Sequence, residues 1–278
     1  MTGSAFRDCD LCGAKQPSLL FAKDGYSIVQ CQACTLVYVG EDPGAIDFAS
    51  LYGEDYYQGS CDRAFANYLG EEAARRASAR RRVWALRLLK WRRGRLLDVG
   101  CAAGFFLVEA SRFHEVQGVE LSEFSSRYAR EHFGLDVFTG TLAAAALPAQ
   151  RFDLITLWDV IEHVAGPHEL LRECARLLGP NGRIVLTTGD IGSAYARRHG
   201  PAWHLMAPPW HLYYFSRATM AALAERAGLR VVACRARGVA GDHPWLRSRA
   251  GVAAGNLLGQ GDIMRVTLAR RGAGAPAP

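Results

Sequence analysis

The sequence predicts an α/β protein with a doubly wound parallel sheet, preceded by a small metal-binding module at the N-terminus. Two observations predict the sheet. Short apolar runs alternate with helical patterns from residue 95 onward, and one of these runs ends in a glycine-containing turn that opens a helix. The third observation, two Cys-x2-Cys pairs within the first 34 residues, predicts the N-terminal module.

The composition is that of a globular protein. The 278 residues are 50% hydrophobic and 22% charged, which excludes an extensively disordered or fibrous chain. The longest apolar runs, such as LITLW at 154–158, fall far short of the roughly 20 residues that span a membrane. The first ten residues contain no apolar signal core. With eight cysteines and no such signal, we expect a cytoplasmic protein with reduced thiols.

The two cysteine pairs have the spacing of a structural zinc site. Cys9-x2-Cys12 and Cys31-x2-Cys34 are separated by 18 residues, and four thiolates complete the tetrahedral coordination of one Zn²⁺. Such a site has no open coordination position, so we expect a structural ion. The intervening segment reads as two short strands around Asp24-Gly25. A redox-active pair and a chance spacing remain alternatives.

Charge is unevenly distributed along the chain. The net charge is +6, but residues 1–60 carry −5 and residues 61–97 carry +8. Residues 71–93 read as a helix with one apolar stripe, and ten basic residues without an acid lie between Arg75 and Arg95. One interpretation is a solvated face whose arginine stems cover the core. The other is attraction to an anionic partner, such as a nucleotide diphosphate, a lipid head group or RNA.

The segment 95–113 carries the central chemical pattern. An apolar strand ends at Asp98 and Gly100, and Gly104 opens the next helix, as in a nucleotide-binding first crossover. The glycines are four residues apart, unlike the GxGxxG of dinucleotide sites. Asp98 would repel a pyrophosphate but accept from an ammonium group. The following strand ends at Glu120, which is suited to a ribose. The pair fits a ligand with an amine and a ribose but no phosphates, such as S-adenosylmethionine.

Three motifs in this order resemble class I S-adenosylmethionine-dependent methyltransferases. They are LLDVGCAAG, GVELS and FDLITLWDVIEHV. The resemblance covers about residues 95–270. The four-cysteine segment, LYGEDYY and HLYYFS together resemble a bacterial subgroup with an N-terminal zinc ribbon, linked to modification of sugars, polysaccharides and natural products. The resemblance implies a seven-stranded Rossmann-like methyltransferase sheet.

The resemblance also implies the cofactor-binding residues. The loop residues Asp98, Gly100, Ala102 and Gly104 would surround the methionine end of the cofactor, with Ala102 in place of the family's middle glycine. Glu120 would bind the ribose and Leu121 would contact the adenine. The segment after the third strand lacks the usual acid, so backbone groups near Thr141 and Leu142 are expected there. Asp159 is expected to border the cofactor.

The predicted domains follow from these motifs. We expect a zinc ribbon at 1–45, a linker with N-terminal helices at 46–94, the methyltransferase domain at 95–271 and a disordered tail at 272–278. Within the catalytic domain, Ser122 is expected to cap a helix, Pro167 to begin one, and GPNG at 179–182 to form the turn into a strand. The segment 242–261 is either a lid or a packing helix.

Acceptor chemistry requires a base when the methylated atom belongs to a hydroxyl or amine, and histidine has the appropriate pKa. His211, in PPWHLYYFS, is the first candidate, and His163, in DVIEHV, is the second. His163 also has the structural alternative of bonding to backbone at a helix start. Further candidates for acceptor contacts, each with a packing alternative, are Tyr57, His204, Trp210, Tyr213 and Tyr214.

The function predicted from the sequence is methyl transfer from S-adenosylmethionine to a small molecule or sugar, with oxygen favoured over nitrogen or carbon. An RNA methyltransferase that binds through the ribbon and the arginine-rich helix is the main alternative. The net charge of −5 in residues 1–60 disfavours phosphate binding there, so nucleic acid is not the expected partner. A cofactor-binding scaffold without turnover is the third hypothesis.

Overall fold

A computed structural model of the protein describes residues 6–46, 51, 68–88, 93–237 and 261–272. The described residues form strands that we number in chain order: β1 Ser18–Lys23, β2 Tyr26–Gln30, β3 Val37–Val39, β4 Arg95–Val99, β5 Glu115–Glu120, β6 Val137–Thr139, β7 Phe152–Trp158, β8 Leu178–Gly189, β9 Tyr213–Tyr214, β10 Leu229–Arg237 and β11 Ile263–Arg270. The helices of the same residues are α1 Glu72–Leu88, α2 Phe105–Ala110, α3 Glu123–Phe133, α4 Pro167–Leu177, α5 Ala194–His199 and α6 Arg217–Arg226.

The main sheet has seven strands in the order β10-β11-β8-β7-β4-β5-β6. The strand pairs β4–β5, β4–β7 and β5–β6 are parallel, whereas β10 and β11 are antiparallel. The order reverses at β4, because β5 and β6 extend the sheet on one side and β7 and β8 on the other. This is a doubly wound sheet, and the predicted fold class is confirmed.

Buried aliphatic runs explain the centre of the sheet. In β4, Leu96 and Leu97 are both fully buried although their side chains point to opposite faces. In β7, Leu154 and Ile155 show the same pattern. A strand that is apolar on both faces is stable only when both faces are covered, which is typical of parallel sheets.

The chain divides into two compact units. The first contains Met1–Ile46, Asp159–Arg172 and Val185–Arg271, and the second contains Asp47–Trp158, Glu173–Ile184 and Gly272–Pro278. The first unit includes a four-stranded antiparallel sheet in the order β1-β2-β3-β9, and the second includes the glycine loop after β4. The domain boundaries inferred from the sequence remain a prediction.

Several local predictions agree with the structure. Asp24 and Gly25 adopt φ values of 51° and 85° between β1 and β2, as expected for a two-residue hairpin turn. The Ser122 side chain accepts a hydrogen bond from the Ser125 backbone N–H at the start of α3. Pro167 is the first residue of α4, a position where its missing N–H costs nothing.

The turn predicted at GPNG is wrong. These residues lie inside β8, which begins at Leu178. A Cβ at Gly179 or Gly182 would lie 3.2 or 3.0 Å from the Phe152 carbonyl oxygen. The two glycines therefore allow this part of β8 to lie close to the start of β7, and their role is close backbone approach rather than chain reversal.

Strand β9 was not predicted. Its two residues pair with β3, with Val37 opposite Tyr214 and Tyr38 opposite Tyr213. The Val39 backbone N–H also donates to the Leu212 carbonyl at 2.9 Å. The segment HLYYFS thus adds an edge strand, β9, to the sheet formed by β1, β2 and β3.

Some expectations fall on residues outside the described part of the chain. They concern Tyr57, the lid or packing helix at 242–261 except its last residue, and the tail beyond residue 272. Among the helices of the described residues, none is long and apolar enough to cross a membrane.

Candidate active site

The glycine loop after β4 requires left-handed backbone at three positions. Gly100, Ala102 and Gly104 have φ values of 70°, 47° and 79°. An alanine in this region is strained by roughly 1–2 kcal/mol, so Ala102 retains the conformation that glycine would adopt freely. A Cβ at Gly104 would lie 2.5 Å from Leu135 Cδ1 and 3.0 Å from Ala129 Cβ. Gly104 is therefore required for packing at the start of α2.

The Glu120 carboxylate binds the backbone of this loop. Its Oε2 accepts from the Ala102 N–H at 2.8 Å, and its Oε1 accepts from the Ser122 N–H at 2.9 Å. The residue is 7% exposed, and burial raises the pKa of Glu120 while the backbone N–H donors of Ser122 and Ala102 oppose that rise. A carboxylate offers about four acceptor positions, so two remain for ribose hydroxyls after these bonds.

Asp98 is buried in the centre of the sheet. Its Oδ1 accepts a hydrogen bond of 2.6 Å from the Thr156 hydroxyl in β7. Burial raises the pKa of Asp98 to about 7, against the lowering effects of Thr156 and of the positive charge of Arg82. A carboxyl that titrates near neutral pH, with Thr156 bound to only one of its oxygens, is suited to receive an ammonium group.

The other predicted cofactor residues differ in exposure. Leu121 is 51% exposed, which leaves its apolar side chain accessible to a flat ring such as adenine. Leu142 is 5% exposed. The Thr141 hydroxyl accepts from the Ala144 N–H at 3.2 Å and so stabilises the turn that contains it.

Asp159 directly follows β7 and has a φ of 58°. Its conformation is fixed by Thr187, whose hydroxyl donates to Asp159 Oδ1 at 2.8 Å. The Asp159 N–H also lies 3.2 Å from the Thr187 carbonyl oxygen. Left-handed backbone at a non-glycine residue is uncommon and concentrates at functional sites, so this position is consistent with a functional role.

The two predicted histidines lie together. The ring centroids of His163 and His211 are 4.6 Å apart, at an interplanar angle of 81°. His163 Nδ1 lies 2.8 Å from the Trp210 carbonyl oxygen, and His211 Nδ1 lies 2.6 Å from the Leu205 carbonyl oxygen. Because a carbonyl oxygen only accepts, each Nδ1 carries a proton, and the lone pair of each neutral ring is on Nε2.

Burial keeps these imidazoles neutral. It lowers the pKa of His163 to about 3, an effect to which the neighbouring His211 adds. Burial also lowers the pKa of His211. At neutral pH both rings are therefore neutral and have a basic nitrogen.

Glu162 joins this cluster and was missed by the sequence analysis. One potential ligand atom from each of Glu162, His163 and His211 lies within 4.8 Å of the other two. Glu162 is 3% exposed, and burial, together with the charge of Asp159, raises its pKa to about 8. In the sequence, the only sign of this cluster was that Glu162 and His163 are adjacent. His211 joins them only through the tertiary structure.

The backbone around Glu162 explains how the cluster is held together. The Glu162 carbonyl accepts from the N–H groups of Leu212 at 2.8 Å and Tyr213 at 3.3 Å. A narrow pocket borders the cluster and is lined by Glu162, Thr188, Gly189, Trp203, Leu205, His211, Tyr213 and Tyr214.

The remaining acceptor candidates have different surroundings. Tyr213 and Tyr214 are 1% and 3% exposed, which agrees with the packing interpretation. His204 Nδ1 lies 3.6 Å from the buried carboxylate of Asp262, and its side chain is 53% exposed. Trp210 contributes its carbonyl to His163.

The four cysteines of the N-terminal pairs converge. Their Sγ atoms all lie within 4.8 Å of one another, with 3.5 Å between Cys9 and Cys34 and between Cys12 and Cys31. Sulfur atoms bound to one Zn²⁺ at 2.3 Å are about 3.8 Å apart, so the donor set fits a tetrahedral ion. The cysteines in the described part of the chain are all free.

The two cysteine turns have the same backbone pattern. The N–H of Gly13 donates to the Cys9 carbonyl, and the N–H of Thr35 donates to the Cys31 carbonyl. Gly13 and Thr35, each directly after the second cysteine of its pair, have φ values of 74° and 65°. Equivalent turns present two thiols each towards one point, which is the arrangement that the spacing predicted.

Several arginines of helix α1 contact side chains of the protein itself. Arg76 and Arg80 contact Glu109 Oε1 at 2.9 and 3.2 Å, and the Glu109 side chain is 1% exposed. Arg87 lies 3.9 Å from the centroid of the Phe113 ring, and Arg82 lies 4.7 Å from that of Trp158. These contacts support the interpretation in which arginines cover and stabilise the core.

The sheet order, the loop after β4 and the acid at the end of β5 define a class I S-adenosylmethionine-dependent methyltransferase domain. A family model described as a methyltransferase domain matches residues 70–234, more than half of the chain. The chain belongs to this family.

Individual relatives agree with this assignment. The ubiquinone biosynthesis O-methyltransferase of Caulobacter sp. (strain K31) is 37% identical over 124 residues, which cover 38% of this chain and 49% of that protein. The chain thus spans about half the length of this curated relative.

Two solved structures share the fold. A methyltransferase from Thermotoga maritima, described as a possible histamine N-methyltransferase, matches with a TM-score of 0.53 and 20% identity, over 73% of this chain and 97% of that one. A methyltransferase from Archaeoglobus fulgidus matches with a TM-score of 0.54 and 19% identity, over 73% and 99%. At these identities the similarity concerns the fold.

Proposed function

We propose that this protein transfers a methyl group from S-adenosylmethionine to a hydroxyl group of a small molecule. The observation that carries the proposal is the bonding of Glu120 to the Ala102 backbone N–H at 2.8 Å. This bond holds the glycine loop next to Glu120 at the end of β5, so that one ligand can contact both the loop and Glu120. The name of the Caulobacter relative, an O-methyltransferase of ubiquinone biosynthesis, supports oxygen as the methylated atom.

The cofactor would be bound by one acidic residue at its methionine end and by another at its ribose. Asp98 would accept from the ammonium group, and the glycine loop would contact the methionine portion through its backbone. Glu120 would accept from the ribose hydroxyls, and Leu121, Thr141 and Leu142 would surround the adenine. Asp159, directly after β7, would border the same ligand, because ligands of doubly wound sheets bind beyond the carboxyl ends of strands.

The acceptor would be activated by the histidine cluster. His211 would accept, through Nε2, the proton that the acceptor hydroxyl loses, and S-adenosylmethionine would supply the methyl group. A base that is neutral at physiological pH suits this role, and the Nδ1 bond to Leu205 selects the required tautomer. His163 serves as the second candidate base. Positioning of the two substrates supplies most of the rate enhancement in such a displacement.

The class of acceptor is part of the proposal. The resemblance to zinc-ribbon enzymes supports a sugar or a specialised metabolite, while the name of the curated relatives, O-methyltransferases of ubiquinone biosynthesis, supports an acceptor in such a pathway. Either would be a small molecule with a hydroxyl group. Trp210, His204 and Tyr57 are the side chains assigned to acceptor recognition, whereas the burial of Tyr213 and Tyr214 favours packing for those two. Tyr57 lies outside the described residues.

An RNA acceptor is disfavoured by the contacts of α1. Arg76 and Arg80 are directed to Glu109, and charges paired internally contribute little to phosphate binding.

The N-terminal cysteines would hold one structural Zn²⁺. Four thiolates leave no coordination position for a substrate, so the ion would stabilise the β1-β2-β3-β9 sheet and take no part in the chemistry.

A panel of phenols, catechols and sugars incubated with S-adenosylmethionine tests the assignment of the base. We expect product from at least one hydroxylated compound, and a fall in kcat of at least about a hundredfold in His211→Asn, with unchanged cofactor affinity. His132→Asn, an exposed histidine on α3, is the matched control and should leave the rate unaltered. Equal rates in His211→Asn and the wild type would exclude His211 as the base.

A further inference from the structure

Glu162, His163 and His211 bring three potential metal ligands close together. One potential ligand atom from each lies within 4.8 Å of the other two. The neutral imidazoles place their lone pairs on Nε2, because each Nδ1 is bonded to a backbone carbonyl. Three potential ligand atoms at these separations can bind one ion.

Glu162 provides a second, independent sign of a ligand. The side chain is buried, with the residue 3% exposed, and its Oε2 has no hydrogen-bond partner within the described part of the chain. The carboxylate is otherwise bonded by the Thr188 hydroxyl. A buried carboxylate oxygen without a hydrogen-bond partner is destabilising, and a positive ion would remove that cost.

We propose that Glu162, His163 and His211 form a binding site for a divalent transition-metal ion, separate from the four-cysteine cluster. Two imidazole nitrogens and one carboxylate oxygen are a donor set suited to Zn²⁺ and Co²⁺. The Nδ1 bonds to the carbonyls of Trp210 and Leu205 are the outer contacts that orient metal-binding histidines. Three protein ligands leave at least one coordination position open.

The site does not depend on the proposed function, since it rests on the geometry of the cluster alone. Its occupation would change the role of the cluster, however. An ion that uses the Nε2 lone pair of His211 prevents that nitrogen from accepting a proton, so a bound ion and a histidine base exclude each other. An acceptor hydroxyl in the open position would then lose its proton because of the ion.

Titration of the full-length protein with Co²⁺ tests this site. Cobalt bound by thiolates gives intense sulfur-to-metal charge-transfer absorption, whereas cobalt bound by nitrogen and oxygen gives only weak visible bands. With zinc already bound in the cysteine cluster, we expect the wild type to bind one equivalent of Co²⁺ with the weak bands alone. Added Zn²⁺ should displace it.

Two substitutions and one control complete the test. His211→Ala and Glu162→Gln should each weaken the binding of this equivalent by at least about tenfold, the usual effect of losing a metal ligand or its support. Glu162→Gln is nearly isosteric, so it preserves the fold if His211→Ala does not. The exposed His132→Ala should bind Co²⁺ as the wild type does.

Two results would overturn the proposal. The first is a wild-type protein whose cobalt spectrum contains only thiolate bands. That result would mean that a proton, and not a metal ion, lies between Glu162 and the histidines. The second is an equal affinity in the wild type and in folded Glu162→Gln.

Discussion

The Tyr213 hydroxyl donates a hydrogen bond of 2.9 Å to the carbonyl oxygen of Ala165. Tyr213 belongs to β9, next to the strand β3 that follows the cysteine pairs, and Ala165 lies three residues after Glu162 in the chain. Arg7 Nη1 also donates to the Tyr213 hydroxyl at 3.0 Å. One buried phenol thus connects the N-terminal sheet to the segment that carries Glu162 and His163.

Removal of this hydroxyl should destabilise the protein. We expect Tyr213→Phe to lower the free energy of unfolding by about 1 kcal/mol, because the Ala165 carbonyl and Arg7 lose a hydrogen-bond partner. Urea denaturation followed by circular dichroism measures the change. Tyr214→Phe is the control, since Tyr214 is similarly buried but makes none of these bonds. Equal losses in the two variants would show that the contact with Ala165 has no specific energetic role.

Loss of one cysteine ligand should also destabilise this sheet. We expect Cys34→Ser to abolish bound zinc and to lower the free energy of unfolding by several kcal/mol, because binding energy of a structural ion is folding energy. Zinc content by mass spectrometry, measured together with the denaturation midpoint, provides the test. Cys234→Ser, in β10 and outside the cluster, should retain the ion. Zinc at full stoichiometry in Cys34→Ser would rule out the four-thiolate site.

The Glu120 carboxylate should govern cofactor affinity. We expect Glu120→Ala to weaken S-adenosylmethionine binding by about tenfold to a hundredfold, because both the ribose acceptors and the bond to the loop at Ala102 are lost. Isothermal titration calorimetry measures the dissociation constants. Glu115→Ala, at the exposed start of the same strand, should bind like the wild type. An unchanged affinity in Glu120→Ala would remove the ribose assignment.

Asp98 should make cofactor binding dependent on pH. Its pKa of about 7 means that the carboxyl becomes protonated, and unable to pair with an ammonium group, as pH falls through 7. Above about pH 8 the amino group of the cofactor itself loses its proton. Affinity should therefore be highest between these values and fall up to about tenfold for each pH unit below 7.

The variant Asp98→Asn isolates this effect. It should bind the cofactor weakly at all pH values, and its affinity should not fall further below pH 7. Binding titrations at about pH 5.5, 6.5 and 7.5 measure this difference. The stability of the cofactor-free protein should respond in the same range. The raised pKa stabilises the folded state at low pH, and this contribution is lost as pH rises through about 7. An identical pH profile in Asp98→Asn and the wild type would exclude Asp98 as the titrating group.

Features that depend on neighbours in the chain were predictable from the sequence. The turn at Asp24-Gly25, the cap at Ser122 and the start of α4 at Pro167 each depend on local backbone preferences. The buried strand before the glycine loop was predictable because its apolar residues are consecutive. The convergence of four cysteines follows from two short repeats of one motif.

Features that depend on distant contacts were not predictable. Strand β9 has only two residues and pairs with a strand more than 170 residues earlier, and nothing in HLYYFS specifies that partner. Glu162 acquires significance only because the fold places it near His211. The glycines of GPNG have the composition of a turn, but the close approach to Phe152 decides their conformation.

The most direct test of the account is transfer of label from radiolabelled methyl-S-adenosylmethionine into fractions of an extract from the source cell. We predict that the full-length protein labels small-molecule, sugar or lipid-linked fractions, and that Glu120→Ala labels them much less at limiting cofactor. Label in an RNase-sensitive polymer would contradict the proposed acceptor. Tight cofactor binding without label in any fraction would contradict the proposed methyl transfer and support a scaffold instead.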